Sequence, residues 1–359
     1  MTDALSGIAF LTRSDLATRG CALTTKDVHE AVARAWAEIR SGAARGGKAV
    51  LSLPEDEFWS VPDFTAFKPD FAEERLGWKL SSLYSVSSTH GGVKIIGANA
   101  FNRSLGLPRS TSTFILLDKF TLRPIAILDE TALSADRTGT YASLVAEACL
   151  ARGTASCVYL VGAGPVAQSV IRSLAFSCAD RIEQIFVRAR RLENARALAI
   201  ALSGEVKIPL VPVDDNRTMR CCSLVVTASN AREPVFADED LAQEATTLHL
   251  GGNEAPEDYL KRVFRTGLMV CDDLQTVSRR NSQSIALHFS SRGLSLETIG
   301  PLIGIRELAN PAPWYEDNAG PTCVTCVGLP MLDLFVAQAS FDKYCRAHAG
   351  SEVDRTCPI

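Results

Sequence analysis

The sequence predicts an α/β chain in which a Rossmann-type parallel-sheet domain is inserted in a mixed α+β domain, and three observations predict it. A glycine turn, Gly162-Ala163-Gly164-Pro165-Val166-Ala167, follows the apolar run Val158-Tyr159-Leu160-Val161 and opens a helical stretch. Downstream of that turn, strands alternate with helices, which indicates parallel strands joined by right-handed crossovers. Upstream, four short strand-like runs follow one another with Gly, Asn and Pro between them, the pattern of a separate sheet. At 359 residues the chain exceeds one comfortable core. The division expected is a first domain over residues 1–132, completed by 318–359, around a dinucleotide-type domain over 133–317.

Each element has its own signal. Thr25 to Ser41 sets Val28, Ala31, Val32, Ala35, Trp36 and Ile39 on one helical face, with Thr24 or Thr25 as cap. Strand-like runs follow at Trp78-Lys79-Leu80, Gly92 to Gly97, Thr113 to Asp118 and Pro124 to Leu128. Ser134 to Arg152 reads as a helix capped by Ser134 that leads into the first parallel strand. After the glycine turn come a helix from Pro165 to Ser177, a strand at Ile185-Phe186-Val187 and a helix from Glu193 to Leu202. Strands are then expected at Leu210 to Val213, Ser223 to Thr227, Thr247 to Leu250 and Gly267 to Cys271. The closing stretch, Leu329 to Tyr344, is apolar at helical spacing and is expected to pack back on the first domain.

The glycine turn carries a chemical expectation. Its G-x-G-x-x-A form gives a tight turn at Gly162, an approach free of side chains at Gly164, and a small helix–sheet contact at Ala167. The helix it opens would aim free N–H groups at a pyrophosphate. Where an NAD site places an acid at the end of the second strand, this chain has Arg188, Arg190 and Arg191, which suit a 2′-phosphate. NADP(H) is therefore favoured over NAD(H). Chemistry in such sheets occurs at the carboxyl ends of the strands, which selects Thr227-Ala228-Ser229 and Gly251-Gly252-Asn253 as walls beside the nicotinamide.

Composition excludes other classes. A hydrophobic fraction of 47% with 22% charged residues is that of a soluble globular protein. The net charge of −4, with its few clustered arginines, gives no reason to expect nucleic acid as a partner. No apolar run approaches the ~18 residues that span a bilayer, and Met1-Thr2-Asp3-Ala4 lacks a signal-like basic start, so a cytoplasmic protein without a membrane partner is expected. Most of the eleven cysteines lie scattered in apolar runs, as with Cys149, Cys157, Cys178 and Cys271, and read as small apolar side chains. Cys323-Val324-Thr325-Cys326 has no second Cys or His pair beside it and makes a poor metal site.

The candidate chemical residues precede the glycine turn. Lys94 sits in an apolar strand and needs a partner or a lowered pKa. Arg137 is expected near a helix N-terminus, where dipole and guanidinium would together favour a carboxylate, or else in an ion pair with Asp129, Glu130 or Asp136. Arg109 is a third cation. Three cations within a short stretch of an acidic chain suggest a small-molecule substrate rich in carboxylate, an amino acid or keto acid.

The blocks from Gly92 to Ala142, namely Gly-Val-Lys-Ile-Ile-Gly, Leu-Pro-Arg-Ser-Thr-Ser, Phe-Ile-Leu-Leu-Asp, Pro-Ile-Ala-Ile-Leu-Asp and Ala-Asp-Arg-Thr-Gly-Thr, come before the glycine turn. With the closing Gly328-Leu329-Pro330-Met331-Leu332-Asp333-Leu334, their order resembles the ornithine cyclodeaminase/mu-crystallin family. Arg109-Ser110 resembles the branch that makes 2,3-diaminopropionate by oxidising and hydrolysing N-(2-amino-2-carboxyethyl)glutamate, a substrate with three carboxylates. The resemblance implies that Lys94 and Arg137 bind the substrate carboxylate and act in catalysis, that Arg109 is a branch-specific substrate contact, and that the first domain's sheet builds a homodimer. Asn253 stands where cyclodeaminases carry a proton-transferring acid, so Glu254 replaces it or water and Lys94 share the task; Asp129 and Glu130 are further candidates. Ornithine-type cyclisation, imine or ketimine reduction and non-catalytic NADPH binding all remain open at this point.

Overall fold

The structure is a computed structural model that describes residues 7–20, 22–315 and 320–348. It divides into two compact units. The first comprises the chain up to Ala72, Leu76–Arg137 and the chain from Leu329; the second comprises Glu73–Arg75 and Thr138–Gly328.

The first unit opens with β1 (Ala9–Leu11), α1 (Arg13–Thr18) and α2 (Thr25–Arg40). Thr24 caps α2: its hydroxyl accepts the Asp27 N–H while the Asp27 carboxylate accepts the Thr24 N–H, a reciprocal capping box. Then come β2 (Arg45–Ser52), α3 (Glu55–Trp59), α4 (Pro62–Thr65), β3 (Lys79–Val86), β4 (His90–Ala98), β5 (Ser110–Asp118) and β6 (Pro124–Asp129). The six strands form one sheet in the order β1-β6-β5-β4-β3-β2, antiparallel except where β1 joins β6. Neither β1 nor β2 was expected from the sequence; β1 is too short for a period to show, and β2 exposes both faces and so lacks alternation.

Helix α5 (Thr131–Cys149) carries the chain into the second unit. It starts three residues before Ser134, because the Asp129 side chain accepts the Thr131 N–H and takes the role expected of Ser134. In this unit β7 (Ser156–Val161), α6 (Pro165–Ser177), β8 (Ile182–Arg188), α7 (Leu192–Leu202) and β9 (Leu210–Val213) alternate as expected, whereas β10 (Leu224–Thr227) and β11 (Thr246–His249) follow with only short 3-10 turns between them. They are followed by α8 (Glu257–Thr266), β12 (Leu268–Cys271), α9 (Leu274–Arg280), α10 (Ser284–Ser290), α11 (Leu296–Ile299), β13 (Arg306–Glu307) and β14 (Thr322–Thr325). All eight strands are parallel, in the order β13-β12-β14-β11-β10-β7-β8-β9, so the expected mixed α/β class with a Rossmann-like sheet is what the chain adopts. The central strands are buried on both faces, as in Val225, Val226 and Leu160, which is why they read as unbroken apolar runs.

The last helix, α12 (Pro330–His348), belongs to the first unit and lies on its sheet and on α2. Leu334, Ala337 and Phe341 bury there against Phe114, Leu116 and Leu128. Cys149, Cys157, Cys178, Cys271, Cys323 and Cys326 are free thiols. Cys345 departs from the expectation of plain apolar cysteines, being disulfide-bonded. Among the described residues no helix is long and apolar enough to cross a membrane.

Candidate active site

In the second unit the strand order reverses at β7, which sends β8 and β9 to one side and β10 and β11 to the other. Such a switch point is where doubly wound sheets bind ligands. Gly162 leaves β7 at φ +132°, and a Cβ there would lie 2.5 Å from the Ala228 carbonyl oxygen. The Gly162 N–H donates to the Arg188 carbonyl and the Ala228 N–H to the Val161 carbonyl, each at 2.8 Å, so the loops after β7, β8 and β10 are tied together. Gly164 caps α6 without a side-chain acceptor, Pro165 opens the helix, and a Cβ on Gly164 would meet nothing within 4 Å. Ala163 and Val166 are half-buried and Ala167 is buried. An uncapped helix start beneath open space fits a pyrophosphate.

At the end of β8, Arg188 is half-buried and its Nη1 donates to Asn216 Oδ1 at 2.7 Å and to the Val235 carbonyl at 2.8 Å. Arg190 and Arg191 are exposed, and Arg190 pairs with Glu74 at 3.5 Å.

Glu254 is buried beneath the loops after β10 and β11. Its Oε2 accepts from the Thr227 hydroxyl at 2.7 Å and the Gly251 N–H at 2.8 Å, and its Oε1 accepts the Ser229 N–H at 2.7 Å. Glycine is needed at 251 because a Cβ would strike the Glu254 carboxylate at 2.4 Å. Burial raises the Glu254 pKa and these donors oppose the rise. Since the Thr227 hydroxyl proton goes to Glu254, its oxygen accepts from His249 Nδ1 at 2.9 Å, leaving Nε2 to accept from Thr247 at 2.8 Å. That ring is neutral, with burial pushing its pKa down to about 3. Asn253 is half-buried beside Glu254.

Sequence reasoning missed Asp272, which follows β12. This buried carboxylate accepts the Val327 and Gly328 N–H groups at 2.9 Å each, the Tyr141 hydroxyl at 3.0 Å and the Asp273 N–H at 3.0 Å, while burial lifts its pKa to about 6. A polar residue ending an apolar strand was the available signal.

The first unit brings Lys94 and Arg137 together. Lys94 Nζ lies 2.7 Å from Asp333 Oδ1 and 3.0 Å from Glu130 Oε2, and all three side chains are fully buried. Arg137 Nε and Nη2 donate to the two oxygens of Asp333 at 2.7 and 3.3 Å. Because α5 begins at Thr131, Arg137 sits in its second turn, and the helix-terminus argument made for it does not hold. Its partner Asp333, on α12, was not among the acids expected. An acid inside an apolar helix is the same signal that singled out Lys94.

Burial opposes ionisation of Asp333, but Arg137 and Lys94 outweigh it and hold the carboxyl below its usual range. For Glu130 burial wins and pushes the pKa up to about 8, although Lys94 pulls the other way. Among the described residues the close polar contact of Glu130 is the Lys94 ammonium, 3.0 Å from Oε2 and shared with Asp333, and no neutral donor fills its lone pairs. Arg109 has a separate place. It precedes β5, where its carbonyl accepts the Asn99 N–H at 2.8 Å, five strand positions, or about 17 Å, from the pair of Phe114 with Lys94. The described residues hold no group of three or more His, Cys, Asp or Glu suited to a metal.

Fold and turn together define a class, the doubly wound α/β proteins with a glycine turn of the dinucleotide-binding kind. The profile of the ornithine cyclodeaminase/mu-crystallin family matches residues 79–281, more than half of the chain, and the chain belongs to that family. A Delta(1)-pyrroline-2-carboxylate reductase of Bacillus cereus is 23% identical over 266 residues, 73% of this chain and 80% of that protein. The structure of Thermococcus litoralis Delta(1)-pyrroline-2-carboxylate reductase in complex with NADH and L-proline superposes with a TM-score of 0.76 at 21% identity, covering 94% of this chain and 98% of that one. The iminosuccinate reductase of Paracoccus denitrificans in complex with NAD+ gives a TM-score of 0.71 at 18% identity, with 95% and 97% covered.

Proposed function

We propose that this protein is a nicotinamide-dependent oxidoreductase that acts on the C–N bond of an amino acid or imine bearing a carboxylate. The observation that carries it is that one chain holds, in its first unit, a buried Lys94–Arg137–Asp333–Glu130 cluster and, in its second, a glycine turn open to a pyrophosphate. The relatives named above support it, being reductases of cyclic or dicarboxylic imines by name. The dinucleotide, when bound, supplies or accepts the hydride. Gly162, Gly164 and the start of α6 would hold its pyrophosphate. Thr227, Ala228, Ser229 and Gly251, clamped by Glu254, would wall the nicotinamide.

We favour NADP(H), because Arg188, Arg190 and Arg191 stand where an acid would select NAD. Arg188 already spends one nitrogen on Asn216 and Val235, so Arg190 and Arg191 carry most of the phosphate contact. Lys94 and Arg137 would receive the substrate carboxylate, and Lys94 would move a proton at the substrate nitrogen. Arg109 favours a further carboxylate, which keeps the 2,3-diaminopropionate-type substrate as the finer reading. The row Tyr84, Val93, Ile115, Ile127 and Phe10 points away from α12 and leaves Tyr84 and Phe10 exposed, which supports a homodimer on this sheet. We place the protein in the cytoplasm.

The test is the absorbance of NADPH and NADP+ against panels of imino, keto and amino acids. A net change is expected. Ammonia release without net change would instead indicate a cyclodeaminase, and tight binding without turnover a binding protein.

A further inference from the structure

The geometry points to Glu130 as the proton store of Lys94, a carboxyl group that returns a proton to the lysine once the lysine has given its own to a substrate nitrogen. The inference rests on the proposed reaction at a C–N bond. Of the candidate acids in the two units, all but Glu130 are committed. Glu254 accepts three hydrogen bonds and Asp272 four. Asp333 is gripped by Arg137 through both oxygens and by Lys94 through one. Asp129 is half-buried and accepts the Thr131 N–H at the start of α5.

Glu130 is fully buried with its Oε2 3.0 Å from the lysine nitrogen, and among the described residues no neutral donor fills its lone pairs as they are filled in Glu254 and Asp272. A buried carboxylate whose close partner is one shared ammonium has its desolvation only partly compensated, and protonation relieves the rest. The charged groups around it are Lys94 from β4, Arg137 from α5 and Asp333 from α12. With Glu130 protonated, the ionised Lys94, Arg137 and Asp333 leave one net positive charge, which an arriving substrate carboxylate would neutralise.

The proton and electron count closes. In the reductive direction the imine carbon receives hydride from reduced nicotinamide, and the C=N π pair moves to nitrogen. That nitrogen takes a proton from the Lys94 ammonium. The resulting amine takes the Glu130 proton, and the carboxylate is reprotonated from water. Oxidation reverses each transfer.

Glu130→Gln removes the exchangeable carboxyl proton while keeping the side-chain volume, and Glu130→Asp keeps the acid. With the imine acid that the wild type reduces best, Glu130→Gln should lower kcat by about tenfold or more. It should abolish the basic limb of the pH profile and leave KM within about threefold, with Glu130→Asp recovering part of kcat. Infrared difference spectra of the protein alone near neutral pH should show the C=O stretch of a protonated carboxyl in the wild type but not in Glu130→Gln. Wild-type kcat and pH profile in Glu130→Gln, or no difference band, would overturn the store while leaving the C–N reading intact. A wild type that shows the band but turns over no carboxylate imine or amine would overturn the reading, and with it the delivery of that proton to substrate.

Discussion

Glu130 and Glu254 are both fully buried, each in a different unit, and burial raises both pKa values. They differ in how burial is compensated. Neutral donors around Glu254 fill both oxygens, and their geometry fixes the loops after β10 and β11. Glu130 has one close donor among the described residues, a Lys94 ammonium that it shares with Asp333, so the rest of its cost is relieved by holding a proton. A buried acid is a structural clamp when its lone pairs are filled, and it remains available for proton transfer when they are not.

Breaking the charged cluster should have the largest effect. Asp333→Ala removes the carboxylate that the buried Lys94 and Arg137 share, and should destabilise the protein by about 3–5 kcal/mol in denaturant unfolding. A loss below about 1 kcal/mol would mean that the cluster rearranges freely. Glu254→Gln comes next: its amide must point a donor at Thr227, Ser229 or Gly251, for about 1–3 kcal/mol. It should also raise KM for the dinucleotide more than KM for the substrate, which steady-state kinetics would separate.

The pH dependence sharpens the contrast. The raised Glu130 pKa means that the folded state holds a proton that the unfolded chain has lost. Its contribution to stability is therefore fully present below the ordinary value of 4.5 and is lost as pH rises towards 8. The Tm of wild type should fall over that window, and Glu130→Gln should flatten the slope; an unchanged slope would place the titration elsewhere. The smallest effect lies at the cofactor's edge, where Arg190→Ala with Arg191→Ala should weaken NADPH more than NADH in binding titrations. Equal losses would remove these arginines from a phosphate site.

The elements that were legible in the sequence are those whose signal is local. The glycine turn, the capped α2 and the apolar parallel strands announce themselves through spacing and turn chemistry within a few residues. The runs of β4, β5 and β6 belong with them, whereas β3 was read only at its first two residues, Lys79 and Leu80. The partners of Lys94 were not legible, because Asp333 lies 239 positions away and only the return of α12 onto the sheet brings it near. The role of Glu254 was half legible. Its position after Gly251-Gly252 marked it as a candidate acid, but two of the three donors that occupy it come from the end of another strand, β10, and the loop after it. The start of α5 was misplaced because either Asp129 or Ser134 can cap a helix, and tertiary contact chose between them.

Tracing the hydride tests the central claim most directly. NADPH deuterated at the nicotinamide C4 should transfer deuterium to the carbon that bears nitrogen when the protein is given a carboxylate imine, and mass spectrometry of the amino acid product would show it. NADPH that binds yet returns with its deuterium in place, under every imine tested, would contradict the account.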